Sequence, residues 1–554
     1  MHASQLEDAF ETLLPHYDHI VVGSGYGASV AALRLAEREQ DGTRKVALLE
    51  RGKAWNPGDF PVELGGLLGE VRSMLRPLGL LEHRTALGAD VDVISANGLG
   101  GTSLINAAIS VRPLDSLWTE SEWPDAIQRD AASRRLSLAF ERAEAMLEPS
   151  PHPDAQRHPR SVLHRGHFSP SLKAGALPLN IRHTPGVNRF GVPQPACHGC
   201  GNCCGGCNSG AKNTLLTNYL AEARRLGVSI FTGMHVTHVE KLPLSEGARW
   251  LVHYVHYGED SLGQDGVEGA LTATNVFLGA GSAGTTEILM RSEREGLALS
   301  ETLGSRVSAN GDVLGAIYNA PIPLGAMPFE DPLREEATRV GPTISSYVDF
   351  RTPERPLDEH FLLLDGVIPR PFVRAAARVL AVHPAATLAA MGSTDALTRL
   401  ARDAVSLEYP GPKGALAHTM ILLACGHDSS GGRYIWDDNR VYVRWPGVTE
   451  EPSIRAIHEE MRAYAARLGG VFVENPRSAM TKTMQATHPL GGAPMGEDVQ
   501  RGTVDHRGAV FSLSGGFHEG LFVVDAAMIP RSLAAPPLLT ITALAERAMA
   551  LFCQ

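Results

Sequence analysis

The stretch from His16 to Gly52 constrains the fold more than any other. Ile20-Val21-Val22 is a short apolar run, Gly23-Ser24-Gly25-Tyr26-Gly27-Ala28 follows it, and Ala31, Leu33 and Leu35 then recur at helical spacing. This pattern predicts strand, tight turn and helix, the opening of a dinucleotide-binding unit. Gly23 permits the turn, Gly25 lets backbone N–H groups approach a pyrophosphate at the helix N-terminus, and Ala28 lets the helix lie close on the strand. A second apolar run, Val46-Ala47-Leu48-Leu49, ends in Glu50, a carboxylate placed to bind ribose hydroxyls. Glu50 lies further from Gly23 than the usual spacing of about 20 residues, and the polar insert Arg38 to Arg44 accounts for the surplus. Glycine-spaced turns also occur at ordinary strand–helix junctions; here the strand, the helix and the acid select the nucleotide reading.

With 554 residues, 44% of them hydrophobic, the chain has length for two to four domains with large cores. A net charge of −11 and the lack of a long Lys/Arg run argue against a nucleic-acid partner. Met1 to Pro15 carries Glu7, Asp8 and Glu11 and no basic segment before an apolar core, so the expected location is cytoplasmic. No apolar run is long enough to span a bilayer, because Phe372 to Met391 is interrupted by Arg374, Arg378, His383 and Pro384. That stretch reads as a pair of amphipathic cap helices, with a helix lying on a membrane surface as the alternative.

Further along, Asn97-Gly98-Leu99-Gly100-Gly101-Thr102-Ser103-Leu104-Ile105-Asn106 crowds glycines before a small hydroxyl residue, which again brings backbone close to a ligand. Residues 114–195 are polar and proline-rich, with a helix expected through Ala131 to Leu147. Thr214 to Leu226 has a helical pattern, short strands follow to Val255, and Val276 to Gly284 is a second strand–glycine–helix junction. Between Asp312 and Gly470 the pattern is irregular and strand-rich, as a substrate-enclosing domain would be. A closing helix is expected from Leu538 to Leu551.

Taken in order, these segments resemble the glucose-methanol-choline (GMC) flavoprotein oxidoreductases, most closely the cholesterol-oxidase-like branch. The marks are Gly23 to Ala28, Gly100 to Asn106, Ser308-Ala309-Asn310-Gly311-Asp312, His488-Pro489-Leu490-Gly491-Gly492 and Thr540-Ile541-Thr542-Ala543-Leu544-Ala545-Glu546-Arg547. The resemblance implies an α/β fold, a Rossmann-like FAD-binding domain with an inserted α+β substrate-binding domain. It assigns 1–113, 196–311 and 471–554 to the FAD domain and 114–195 and 312–470 to the substrate or cap domain. It places Gly23, Gly25 and Gly27 at the pyrophosphate, Glu50 at the ribose and Val236 at the adenine. Gly101 and Asn106 would lie near the flavin and Asp525 near the ribityl chain.

The same resemblance makes His488 the base that accepts the hydroxyl proton while the adjacent carbon gives hydride to FAD, and an imidazole suits both states. Two positions depart from the branch. The hydrogen-bonding residue expected before the last helix is Pro536, and the carboxylate expected over the substrate falls on Leu364 with Asp365 next to it. Pro and Leu carry no proton. Either the catalytic set is rebuilt from groups such as Asp365, His418 or His427, or the reaction is an isomerisation, elimination or double-bond reduction.

Five of the seven cysteines fall within Cys197-His198-Gly199-Cys200-Gly201-Asn202-Cys203-Cys204-Gly205-Gly206-Cys207. Cys197, Cys200, Cys203 and Cys207 have ferredoxin spacing and predict a 4Fe–4S or 3Fe–4S cluster. The proline that usually follows is Asn208 and no second run exists, so Cys204, Cys425 or Cys553 could complete the set. A zinc site would be cramped, disulfides suit an exported chain better, and a reduced structural thiol loop remains open. Among the proteins resembled, some dehydrogenases drain flavin electrons through such a cluster. The expected activity is therefore FAD-dependent oxidation of a fairly large apolar alcohol, sterol- or polyketide-like. The expected electron acceptor is a protein or quinone, which favours a dehydrogenase over an oxidase.

Overall fold

The structure is a computed structural model that describes residues 3–39, 42, 44–73, 75–243, 248–258, 261, 265–328, 340–382, 394–408 and 411–554. Strand β1 (His16–Val22) runs into helix α1 (Tyr26–Arg38), which Gly25 caps, and β2 (Val46–Leu49) follows. The chain then leaves this unit through α2 (Arg135–Leu147) and β3 (Lys173–Ala176). It returns through β4 (Ser229–Phe231), β5 (Met234–Lys241), β6 (Trp250–His256), β7 (Val267–Leu278) and α3 (Gly281–Arg294). Next come β8 (Val313–Tyr318), β9 (Ser346–Asp349), β10 (Phe361–Gly366), α4 (Val373–Val382), α5 (Thr394–Glu408) and β11 (Met420–Gly426). The chain closes with β12 (Val471–Glu474), β13 (Phe517–Val523) and α6 (Leu538–Phe552).

β4, β2, β1, β7 and β13 lie side by side and parallel, and β5 and β6 extend the sheet antiparallel from the first half of β7. A parallel sheet covered on both faces needs continuous rather than alternating apolar residues, and all of β2 is buried. A second sheet, wholly antiparallel, has the order β12-β8-β11-β10-β9-β3. Thus β3, from the first expected inserted segment, joins strands of the second, and β12 belongs to this second sheet although the sequence reading assigns 471–554 to the FAD domain. Helix α2 packs on α6 within the main core rather than in a cap.

Two expected helices are interrupted. The stretch through Leu147 splits at Arg134, whose backbone is left-handed at φ 64°, and Tyr219–Arg225 starts anew where Asn218 accepts from Tyr219 N at 2.7 Å. α4 and α5 occur where cap helices are expected, and residues 383–393 of that stretch lie outside the described residues. Among the described residues no helix is long and apolar enough to cross a membrane.

His152 sits with ring centre 5.0 Å from those of both His158 and His183. Burial, with the neighbouring imidazoles, pushes His152 down to about 4, and burial with Arg160 pushes His158 down to about 4. An unfolded histidine titrates near 6.5, so between about pH 6.5 and 4 the unfolded chain binds more protons and acid destabilises the fold. Thermal midpoints are expected to fall steadily over that window, with a shallower fall in His158→Asn; equal slopes in the two proteins would remove this cluster as a cause.

Candidate active site

A cavity of about 790 Å³ gathers Gly23, Gly25, Gly27, Glu50, Gly101, Asn106, Val236, Asp525 and His488 along one wall system. The glycines are needed for two different reasons. At Gly23, φ is 90° and a Cβ would stand 2.5 Å from Gly279 O; at Gly27 a Cβ would run into Val524 O. Those two let the backbones of β1–α1, the β7–α3 junction and the β13 end pass close together. Gly25 instead faces open space at the N-terminus of α1, its Cβ direction clear to 3.9 Å. Unpaired N–H groups and the helix dipole there suit a pyrophosphate.

Glu50 accepts from Ser24 Oγ at 2.5 Å and Gly52 N at 2.8 Å, and burial raises its carboxyl. Asp525 accepts from Gly281 N at 2.7 Å, Thr285 Oγ1 at 2.5 Å and Ala527 N at 2.8 Å, and burial pushes it up to about 6. Asn106 donates to Tyr26 OH at 2.8 Å. Two helix N-termini, an open glycine cradle and a buried carboxylate at either end fit an adenine dinucleotide. Gly27→Ala is expected to yield protein without bound flavin, read as loss of visible absorbance; full flavin content would show that the α1–β13 crossing tolerates a methyl group.

His488 has a partner that sequence reasoning did not single out. Its Nδ1 is 2.8 Å from Asp312 Oδ1, while Asp312 Oδ2 accepts from His488 N at 2.9 Å and from Thr487 N and Oγ1 at 2.8 Å each. A carboxylate only accepts, so Nδ1 carries the proton and Nε2 presents a lone pair. Among the described residues Nε2 has no protein partner, and both His488 and Asp312 line the cavity. Behind them the Cys425 thiol lies 3.7 Å from Asp312 Oδ1, and burial, with Asp312 beside it, raises that thiol and keeps it neutral. The signal for Asp312 was its place at the end of Ser308 to Asp312. Ser308 in that run bonds Asp428, and Asn310 bonds Ala535 O and Leu533 N, which fixes the loop carrying Pro536.

Asp365 is not where a proton-shuttling group would have to be. It is fully buried, 2.8 Å from Arg160 Nε, and takes bonds from Ser345 N, Ser346 N and Ser161 Oγ. Burial raises its carboxyl, and Arg160 more than offsets this and holds it below the usual range. It braces the second sheet and does not line the cavity, and neither do His418, bonded to Ala320 O, and His427. Pro536 does line it. At the Glu50 end of the cavity, Arg51 and Arg72 each approach Glu82 at 2.7 Å, and Arg84 pairs with Glu287. No local spacing in the sequence marks this network.

The cysteine loop runs beside the cavity, with Cys204 and Gly205 in its wall. All seven cysteines are free. Among the described residues, the one set of three or more donor atoms mutually within 4.8 Å is Asp312, Cys425 and His488. A tetrahedral zinc with Zn–S bonds of about 2.3 Å needs its sulfurs closer than that, so Cys197, Cys200, Cys203 and Cys207 are not arranged around a single ion.

Comparison with known proteins agrees with this architecture. A cholesterol oxidase from Acinetobacter baumannii is 26% identical, covering 96% of this chain and 94% of its own. One from Mycobacterium tuberculosis is also 26% identical, covering 97% and 91%. A fungal aryl-alcohol oxidase structure superposes with a TM-score of 0.61 at 16% identity over 98% of this chain and 99% of its own, a likeness of fold. The GMC oxidoreductase model matches residues 17–307 with its N-terminal part and 450–545 with its C-terminal part, and the chain belongs to the GMC oxidoreductase family.

Proposed function

We propose that this protein is an FAD-dependent oxidoreductase that oxidises the CH–OH group of a fairly large apolar alcohol, with His488 as the base. The observation that carries the proposal is the Asp312–His488 pair, which leaves Nε2 free to accept a proton inside a cavity that also holds the glycine cradle. Bound there, FAD would supply the hydride acceptor. The Gly23–Gly27 turn would hold its pyrophosphate, with Gly25 facing it and Gly23 and Gly27 letting the surrounding backbones close around it, Glu50 and Val236 would hold the adenosine, and Asp525, Gly101 and Asn106 the remainder.

His488 Nε2 takes the hydroxyl proton, and Asp312 stabilises the imidazolium that results. The substrate end of the cavity is walled by Leu314, Ile344, Leu423, Val367, Ile368 and Leu380, which exclude water and accept an apolar skeleton. Phe372 and Val379 line the cavity and are also 39% and 43% exposed, which gives such a substrate an apolar mouth. The cholesterol oxidase relatives support a sterol-sized alcohol. A reducing compartment such as the cytoplasm suits seven free thiols.

Pro536 in the cavity wall favours one second reading, a reaction without net alcohol oxidation, because no second proton-carrying group stands in its place. Anaerobic mixing of oxidised protein with apolar alcohols separates the two. Bleaching of the flavin bands supports alcohol oxidation; unchanged bands with every alcohol, together with turnover of an enone or isomerisable substrate, overturns it. Reoxidation of the bleached protein by dioxygen, compared with a quinone, distinguishes oxidase from dehydrogenase.

A further inference from the structure

We infer that Asp312, Cys425 and His488 form a binding site for zinc, and that an ion held there switches off the base of the proposed reaction. Asp312 Oδ1 lies 2.8 Å from His488 Nδ1 and 3.7 Å from Cys425 Sγ, and that Sγ lies 3.8 Å from Nδ1. A tetrahedral zinc with bonds of about 2.0–2.2 Å to nitrogen and oxygen and about 2.3 Å to sulfur spaces its ligand atoms by about 3.3–3.7 Å. The three donors therefore stand close to one face of such a tetrahedron. Opening the oxygen–nitrogen edge by about half an ångström seats the ion, and a water molecule completes the four ligands.

The fold sets these ligands before any ion arrives. Val313 of β8 pairs with Ala424 of β11, so the antiparallel register carries Asp312 beside Cys425. Asp312 Oδ2 accepts from Thr487 N and Oγ1 and from His488 N, which fixes the carboxylate with Oδ1 toward the thiol and ties the His488 backbone to it. Outer bonds of this kind orient metal ligands and raise affinity. The donor set also selects the ion, since sulfur and imidazole suit zinc, whereas magnesium and calcium take oxygen. A carboxylate and a thiolate cancel the two charges of zinc, so the occupied site is neutral, as a buried place requires. Asp312 and His488 both line the cavity, which gives the ion its way in.

Occupation moves the proton on which the base depends. Without metal, Nδ1 donates to Asp312 and Nε2 keeps a lone pair for the substrate. Zinc takes the Nδ1 lone pair, so the ring proton moves to Nε2, and the Cys425 thiol releases its proton to solvent. Each zinc bound thus expels a single proton, and no electron moves. Nε2 now holds a hydrogen and accepts nothing, so the alcohol keeps its proton and the oxidation stalls. The zinc-bound protein is an off state of the same active site, which a chelator reverses.

The site stands on its geometry, and its effect on turnover rests on His488 as the base. Flavin-loaded wild-type protein saturated with zinc and freed of excess metal by gel filtration is expected to carry a further zinc per chain compared with Cys425→Ala treated alike. In anaerobic mixing with an alcohol that bleaches the metal-free protein, saturating zinc is expected to slow flavin reduction by about 10²–10⁴, and a chelator to restore it. Cys425→Ala, judged against its own metal-free rate, is expected to resist zinc, while Cys203→Ser, in the separate thiol loop, is expected to be inhibited like wild type. Should Cys425→Ala fail to fold, Cys425→Ser, which keeps a donor to Asp312 and lacks the sulfur, takes its place. Equal zinc content in wild type and the Cys425 variant, or equal inhibition of the two, overturns the site. A further zinc in wild type without slower flavin reduction overturns the switch, and with it His488 as base, and leaves the site standing. If no alcohol bleaches the flavin, the alcohol-oxidising reading fails and the zinc content decides the site by itself.

Discussion

His488→Gln is expected to lower kcat/KM for the alcohol by about 10²–10⁴, with flavin content and thermal midpoint close to wild type. Gln fills a similar volume but has no lone pair on a basic nitrogen, so the hydroxyl proton must leave to water in the transition state. The fold should survive, because three of the four strong bonds to Asp312 come from Thr487 N, Thr487 Oγ1 and His488 N, which the substitution leaves in place. Rapid anaerobic mixing, followed at the flavin bands, reads the chemical step directly. Reduction is expected to slow by the same factor. A loss smaller than about tenfold would pass the base role to another group.

What the sequence made legible was local. The contact of Gly27 with Val524, far along the chain, has no local signal, whereas Gly23 and Gly25 can be read because a turn and a backbone cradle each require glycine within a few residues of an apolar run. Glu50 follows from the end of β2 for the same reason. The partners that complete the site come from far along the chain, and no periodicity reports them. Asp312 lies 176 positions from His488, so its bond exists only once β8 and the His488 loop are assembled. Asp365 failed as a candidate on the same ground, since Arg160, which neutralises it in the core, comes from the other inserted segment.

The closing motif Thr540 to Arg547 could be recognised but not explained from sequence. In the fold Glu546 binds Arg34 of α1 at 2.7 Å and accepts from Tyr219 OH at 2.7 Å, while Arg547 pairs with Asp130 at 2.7 Å. The motif clamps α6 onto the nucleotide unit and its outer helices. Almost every residue of α6 up to Met549 is buried, so this helix shows no polar face to read.

Asp312→Asn is expected to be nearly as damaging as loss of the base itself, about 10²–10⁴ in kcat, although every atom of His488 remains. Three donors converge on the position of Oδ2, so an asparagine there must turn its carbonyl oxygen toward them. Its amide NH₂ then occupies the position of Oδ1 and faces His488 Nδ1. A donor in that place requires Nδ1 to accept, which moves the imidazole proton to Nε2 and turns the nitrogen facing the substrate into a donor. The variant also lacks the charge that stabilises the imidazolium. Asp312→Ala acts differently, since it leaves Thr487 N and His488 N without their partner and costs stability, about 1–3 kcal/mol for each buried donor, but does not force the tautomer. Measured per bound flavin, Asp312→Asn is therefore expected to keep its thermal midpoint and lose turnover, and Asp312→Ala to lose midpoint first. An Asn variant with near-normal flavin reduction would mean that the Nδ1 partner does not set which nitrogen of His488 holds the proton.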